Sequence, residues 1–126
     1  MRLFFAIIIA LNSAFVFLNG AEFYFLDGDT CRFPDTKEGV VLEHVFPFKN
    51  TGDEPLIISG YTVACSCTKI TFPKDPVLPG KEGELRLTFD TEGKYGFQSR
   101  KVLLKTNTKK SIKLQFKVTV VPREEK

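Results

Sequence analysis

The chain has 126 residues, 43% of them hydrophobic and 26% charged, with 18 basic against 15 acidic side chains and a formal charge of +3. So even a charge balance singles out no partner class, and the length suits one domain after any leader is removed. Three cysteines without the inter-sheet spacing, and no tryptophan, exclude an antibody-type domain.

The N-terminus reads as a secretory signal peptide. Arg2 supplies the positive start, Leu3 to Leu18 is apolar except for Asn12 and Ser13, and Asn19-Gly20-Ala21 forms a small, polar exit. The apolar stretch is shorter than the roughly 20 residues of a membrane span. Cleavage after Ala21 leaves 105 residues with 17 basic and 15 acidic side chains and no stable membrane span. Export places the protein in the periplasm or at the cell surface, away from nucleic acid.

The mature chain, residues 22–126, has a period of two. Phe23 to Leu26 opens it. Val40 to Phe48 then places Val40, Leu42, His44, Phe46 and Phe48 on one face, with Pro47 on the other. Proline cannot donate to a ladder, so Pro47 predicts an edge strand or a bulge. Asn50-Thr51-Gly52-Asp53 is a turn, Leu56 to Val63 and Ile70 to Phe72 are β-rich, and Pro79-Gly80-Lys81 is a second turn. Leu85, Leu87 and Phe89 alternate with Glu84, Arg86 and Thr88. Asp90 to Gly96 turns, and Val102 to Thr106 precedes the Asn107 to Lys110 turn. Ile112, Leu114, Phe116, Val118 and Val120 alternate with Lys113, Gln115, Lys117 and Thr119 in a long last strand. About seven strands in some 100 residues predict an all-β, immunoglobulin-like sandwich of two sheets.

Several segments share an order with one bacterial family. Phe46-Pro47-Phe48-Lys49-Asn50-Thr51-Gly52-Asp53-Glu54-Pro55-Leu56-Ile57-Ile58 resembles the F-x-F-x-N-x-G-x-x-P-L-x-I core of the family named domain of unknown function 1573. Cys65-Ser66-Cys67-Thr68 resembles its C-G-C-T, with Ser66 where the family carries Gly, and Phe33-Pro34 stands where it more often has Phe-Gly. Leu78 to Gly83, Phe89-Asp90-Thr91, Gly96 and Thr106-Asn107 continue the match. The resemblance implies a sandwich related to the major-sperm-protein and Hydin-type domains and leaves function open.

The cysteines are the most informative chemistry. In an extended strand Cys65 and Cys67 share a face with Cα atoms about 6.5 Å apart, at the upper edge of disulfide reach. The pair suits a reducible bridge or a clasp for a soft ion such as Cu(I). Cys31 adds a third sulfur, so three pairings are open, and small apolar cysteines also simply fill cores. Against copper, Met1 is the sole methionine and leaves with the leader. Zinc needs a fourth ligand, and His44, the single histidine, sits between Leu42 and Phe46 where a packed imidazole is expected. Asp27-Gly28-Asp29 lacks the further oxygens of a calcium loop, and no nucleophile motif is present.

Charge is unevenly spread. Residues 100–117 contain Arg100, Lys101, Lys105, Lys109, Lys110, Lys113 and Lys117 and no carboxylate, whereas residues 22–63 hold eight acidic and three basic residues. Either opposite charges meet across solvated strands, or a basic face awaits an anionic glycan or acidic protein. Lys113 and Lys117 on the last strand are docking contacts or gatekeepers against aggregation. The expected function is an exported, non-catalytic module that binds or assembles envelope or surface proteins along an exposed strand edge, for which the long last strand from Ile112 to Val121 is the candidate, without a cofactor. The alternative is a thiol-redox or soft-metal (Cu or Zn) protein centred on Cys65 and Cys67.

Overall fold

The computed structural model describes residues 20–123. The signal peptide assigned to residues 1–21 therefore lies outside the described residues except for Gly20 and Ala21, as does the end of the charged tail. Nine strands follow in chain order: β1 (Phe23–Phe25), β2 (Thr30–Arg32), β3 (Thr36–Lys37), β4 (Val41–Asn50), β5 (Ile58–Thr62), β6 (Thr68–Thr71), β7 (Glu82–Asp90), β8 (Gly96–Thr106) and β9 (Ile112–Val121). The first sheet has the order β1-β4-β7-β6. The second runs β2-β9-β8-β5, with β3 also paired to β9.

Alternation explains the layers. Phe46 and Phe48 of β4 and Leu85, Leu87 and Phe89 of β7 face Val102 and Leu104 of β8 and the five even-numbered apolar residues of β9, all buried. Phe89 and Phe116 join the two layers with ring centroids 4.9 Å apart. Each fully buried side chain of this kind contributes about 1.5–3 kcal/mol by leaving water.

Four expectations need correction. There are nine strands, not seven, because β2 and β3 are too short to show alternation and pair parallel to β9. β8 begins at Gly96 rather than Val102. Val40 is exposed and precedes β4. Most consequentially, β9 is no edge strand: β8 pairs along it from Ile112 to Val120, and β2 and β3 cover parts of its other side.

Pro47 is accommodated at a change of neighbour. Its carbonyl accepts from the Leu26 N–H at 3.0 Å, just past the end of β1. In an antiparallel strand a residue's N–H and C=O point the same way, so the missing donor faces the side where β1 runs out. Beyond that point β4 is an edge, and no bulge is needed.

Candidate functional site

Two places bring together residues that the sequence singles out. The first is the turn between β5 and β6. Cys65 and Cys67 are disulfide-bonded there with Cα atoms 5.2 Å apart. The segment is a turn, not the extended strand expected, and this is why the Cα separation falls below the extended value of about 6.5 Å. The Cys67 N–H donates to Cys65 Sγ at 3.1 Å, and Cys67 Sγ lies 3.9 Å from the Thr68 hydroxyl. Cys67 packs against the core. Cys65 instead lines a concavity of about 300 Å³ with Val63, Ala64, Thr68, Ser99, Arg100 and Lys101.

Arg100 reaches this place because it shares the inward parity of Val102 and Leu104 on β8. One guanidinium nitrogen donates to Gln98 Oε1 at 2.7 Å, while its buried Nε has no hydrogen-bond partner among the described residues. In the sequence Arg100 is one of seven cations between residues 100 and 117, and only its parity with Val102 marks it as inward-facing.

Cys31 does not join the pair. It is buried on β2, and β9 and β8 separate that strand from β5, a span of about 14 Å at the usual strand spacing. Burial pushes its thiol pKa up. His44 stands on the other sheet, its ring edge-on to Phe46 at 4.7 Å and to Phe33 at 6.1 Å. The structure thus does not bring Cys31, Cys65, Cys67 and His44 to one point, and among the described residues no three of His, Cys, Asp and Glu gather around a common centre. Asp29 holds the Thr30 hydroxyl with its carboxylate and the Gln115 N–H with its carbonyl, so its segment is a tied turn.

The second place is the outer face of the β2-β9-β8-β5 sheet. Register sets Lys117 beside Ser99 and Arg32, Gln115 beside Lys101 and Thr30, and Lys113 beside Leu103. Arg32, Lys101, Lys105 and Lys113 are exposed and Lys117 is half-buried. None of the five strands β2, β3, β5, β8 and β9 contains an Asp or Glu. The ion pairs among the described residues lie elsewhere: Arg86 with Glu43 at 3.2 Å, and Arg123 with Glu38 at 3.1 Å and Glu92 at 2.7 Å. Asp29, in the turn before β2, lines a small concavity with Lys101 and Lys113. Beside this face, the first half of β8 has no described strand on the side away from β9, and Tyr95 and Phe97 are 77% and 59% exposed.

With this geometry in view, the model of the family described as "Protein of unknown function (DUF1573)" matches residues 25–120. The chain belongs to this family. The DUF1573 motif proves to be a set of structural clasps. Asn50, fully buried, donates to the carbonyls of Glu54 and Val77 at 2.7 and 2.9 Å and accepts from the Gly52 and Glu22 N–H groups. Asn107 accepts from the Ile57 N–H and donates to the Pro55 carbonyl, and the Thr91 hydroxyl donates to the Val40 carbonyl at 2.6 Å. No curated protein matches the chain. Among solved structures, a protein of unknown function from Porphyromonas gingivalis W83 is similar at a TM-score of 0.70 and 12% identity, over 84% of this chain and 50% of that one. The ASH/PapD-like domain 7 of human CEP192 gives 0.62 and 13%, over 84% and 88%. The periplasmic chaperone SfaE gives 0.51 and 19%, over 83% and 58%. Parts of larger hydrolases share the fold as well. The chain thus spans half of the Porphyromonas protein, and these identities establish a PapD-like, immunoglobulin-like sandwich and nothing about activity.

Proposed function

We propose that this DUF1573 chain is an exported, non-catalytic module that binds an acidic protein of the envelope or cell surface through the outer face of the β2-β9-β8-β5 sheet. The observation that carries the reading is the five-cation surface of Arg32, Lys101, Lys105, Lys113 and Lys117 on strands free of carboxylates. Like charges gathered on one sheet cost stability through their mutual repulsion. An acidic partner removes that cost on docking and is drawn in by the same field. Lys113 and Lys117 then act as docking contacts, and the leader supplies export to the compartment where such a partner resides. The PapD-like sandwich fits such a non-catalytic module.

The test is a double change, Lys113→Glu with Lys117→Glu. Both side chains lie on the solvent face, so a β-type circular dichroism spectrum and the thermal midpoint should be nearly retained. Capture of the partner from the native envelope fraction should fall at least tenfold, and the residual binding should lose most of its dependence on salt. Unchanged capture with unchanged salt dependence would make the two lysines gatekeepers and refute the docking face.

A further inference from the structure

We propose that Cys65–Cys67 is a thiol–disulfide exchange site for a dithiol-bearing protein or peptide, in which Cys65 forms the mixed disulfide and Cys67 is the leaving sulfur. This inference does not depend on the basic face binding an acidic partner. Two sulfurs in a three-residue loop restrict the unfolded chain little. By the loop-entropy relation such a ring removes far less freedom from the unfolded chain than a loop of about 15 residues does. The fold therefore gains little from this bond as a staple.

Its surroundings distinguish the two sulfurs. Both cysteines are half-buried, but Cys65 lines the concavity while Cys67 packs against the core, so approach through the concavity leads to Cys65. The Cys67 N–H points at Cys65 Sγ, and Arg100 lines the same concavity. A backbone donor and a guanidinium in the same concavity favour a thiolate at that position. Arg100 also retains a buried Nε–H with no hydrogen-bond partner among the described residues, so its guanidinium is incompletely satisfied beside the cysteine turn. The Asp90 carboxylate, on the strand adjoining the turn, is engaged with the Glu92 N–H at 2.9 Å, while the Asp90 N–H donates to the Cys67 carbonyl.

The exchange balances as written. One partner thiolate attacks Cys65 Sγ, the Cys65–Cys67 bond breaks, and its electron pair leaves on Cys67, which takes up a proton. The second partner thiolate then attacks the partner sulfur of the mixed disulfide and displaces Cys65 as a thiolate. The partner's two thiols become one disulfide, Cys65 and Cys67 gain two electrons, and the remaining proton passes to solvent.

The test uses the full secreted chain and glutathione disulfide as probe. In Cys67→Ser, glutathione should become attached at Cys65, located by peptide mass spectrometry, at least tenfold faster than at Cys67 in Cys65→Ser. Equal rates, or the reverse order, would overturn the assignment of roles. Adding Arg100→Gln to Cys67→Ser should slow attachment at pH 7 by about threefold, the loss of thiolate being partly offset by the greater nucleophilicity of a more basic sulfur, and Arg100→Lys should restore most of it. An unchanged rate in a folded Arg100→Gln protein would remove Arg100 from the site. Should these variants fail to fold, the reduced wild-type chain decides: iodoacetamide should modify Cys65 at least tenfold faster than the buried Cys31, and comparable rates would refute an activated Cys65.

Discussion

Asn50 shows how one side chain can hold a junction that apolar packing cannot. Its amide satisfies two carbonyls and two N–H groups from three separate segments, and its own backbone N–H and C=O bond Lys81 and Gly80. Removing the amide would take the partner from the part-buried Glu22 and Gly52 N–H groups and the Glu54 carbonyl, while the Val77 carbonyl keeps the Leu56 N–H, so Asn50→Ala should cost roughly 3 kcal/mol, read as a fall in the urea midpoint at unchanged slope. Gly52 belongs to the same junction. A Cβ there would collide with the Gly20 carbonyl oxygen and stand 2.6 Å from the Glu22 nitrogen, so the close approach of two backbones demands glycine. Ala21, at the end of the assigned leader, is 3% exposed in the core, and Gly20 exchanges hydrogen bonds with Asp53. A chain cleaved after Ala21 forgoes both contacts.

At the scale of elements, short strands are fixed by clasps rather than by their own ladders. Glu38 follows β3 and accepts from the Gly93 N–H at 2.9 Å and from Arg123, which also reaches Glu92. The Gly93 N–H, then Arg123, holds the Glu38 carboxyl below the usual glutamate range, and the two glutamates raise Arg123 in turn. A carboxyl depressed in the folded state contributes stability that is complete above its unfolded pKa of about 4.3 and is lost as pH falls through the lower folded value. Glu38→Gln should therefore lower the Tm at pH 7, and the difference from wild type should shrink as the pH falls below that range. A difference that persists unchanged in acid would show that the carboxylate's charge is not what ties this corner.

Long alternating strands were legible because period two is a direct consequence of one buried face. The inward sets of β7 and β9 stand where the sequence pattern places them. β2 and β3 were not legible, since three and two residues cannot display a period. The first half of β8 was hidden because Gln98 and Arg100 occupy its inward positions with polar atoms. The cysteine turn was half legible: Cys-x-Cys spacing named the pair, but an extended geometry was assumed where the chain turns. No local pattern could reveal that β9 lies inside its sheet, because strand order depends on pairings between distant segments.

For the whole molecule, the two sheets differ in charge. The first carries Glu43, Glu82, Glu84 and Asp90 with Lys49, Lys69 and Arg86, whereas the second is free of carboxylates. The sandwich thus has one mixed face and one basic face. The basic face adjoins the first half of β8, which has no described strand on its side away from β9, with Phe97 and the preceding Tyr95 exposed. Cations around an apolar patch are suited to docking, the charges steering the encounter and the aromatic rings supplying buried area. Site-specific photo-cross-linking in cells decides which face is used. A cross-linker in place of Leu103, among the cations of the second sheet, should yield one discrete adduct with an acidic envelope or surface protein, and the same group in place of Glu84 on the first sheet should yield none. Adducts from Glu84 alone, or from both positions equally, would contradict a docking function for the basic face.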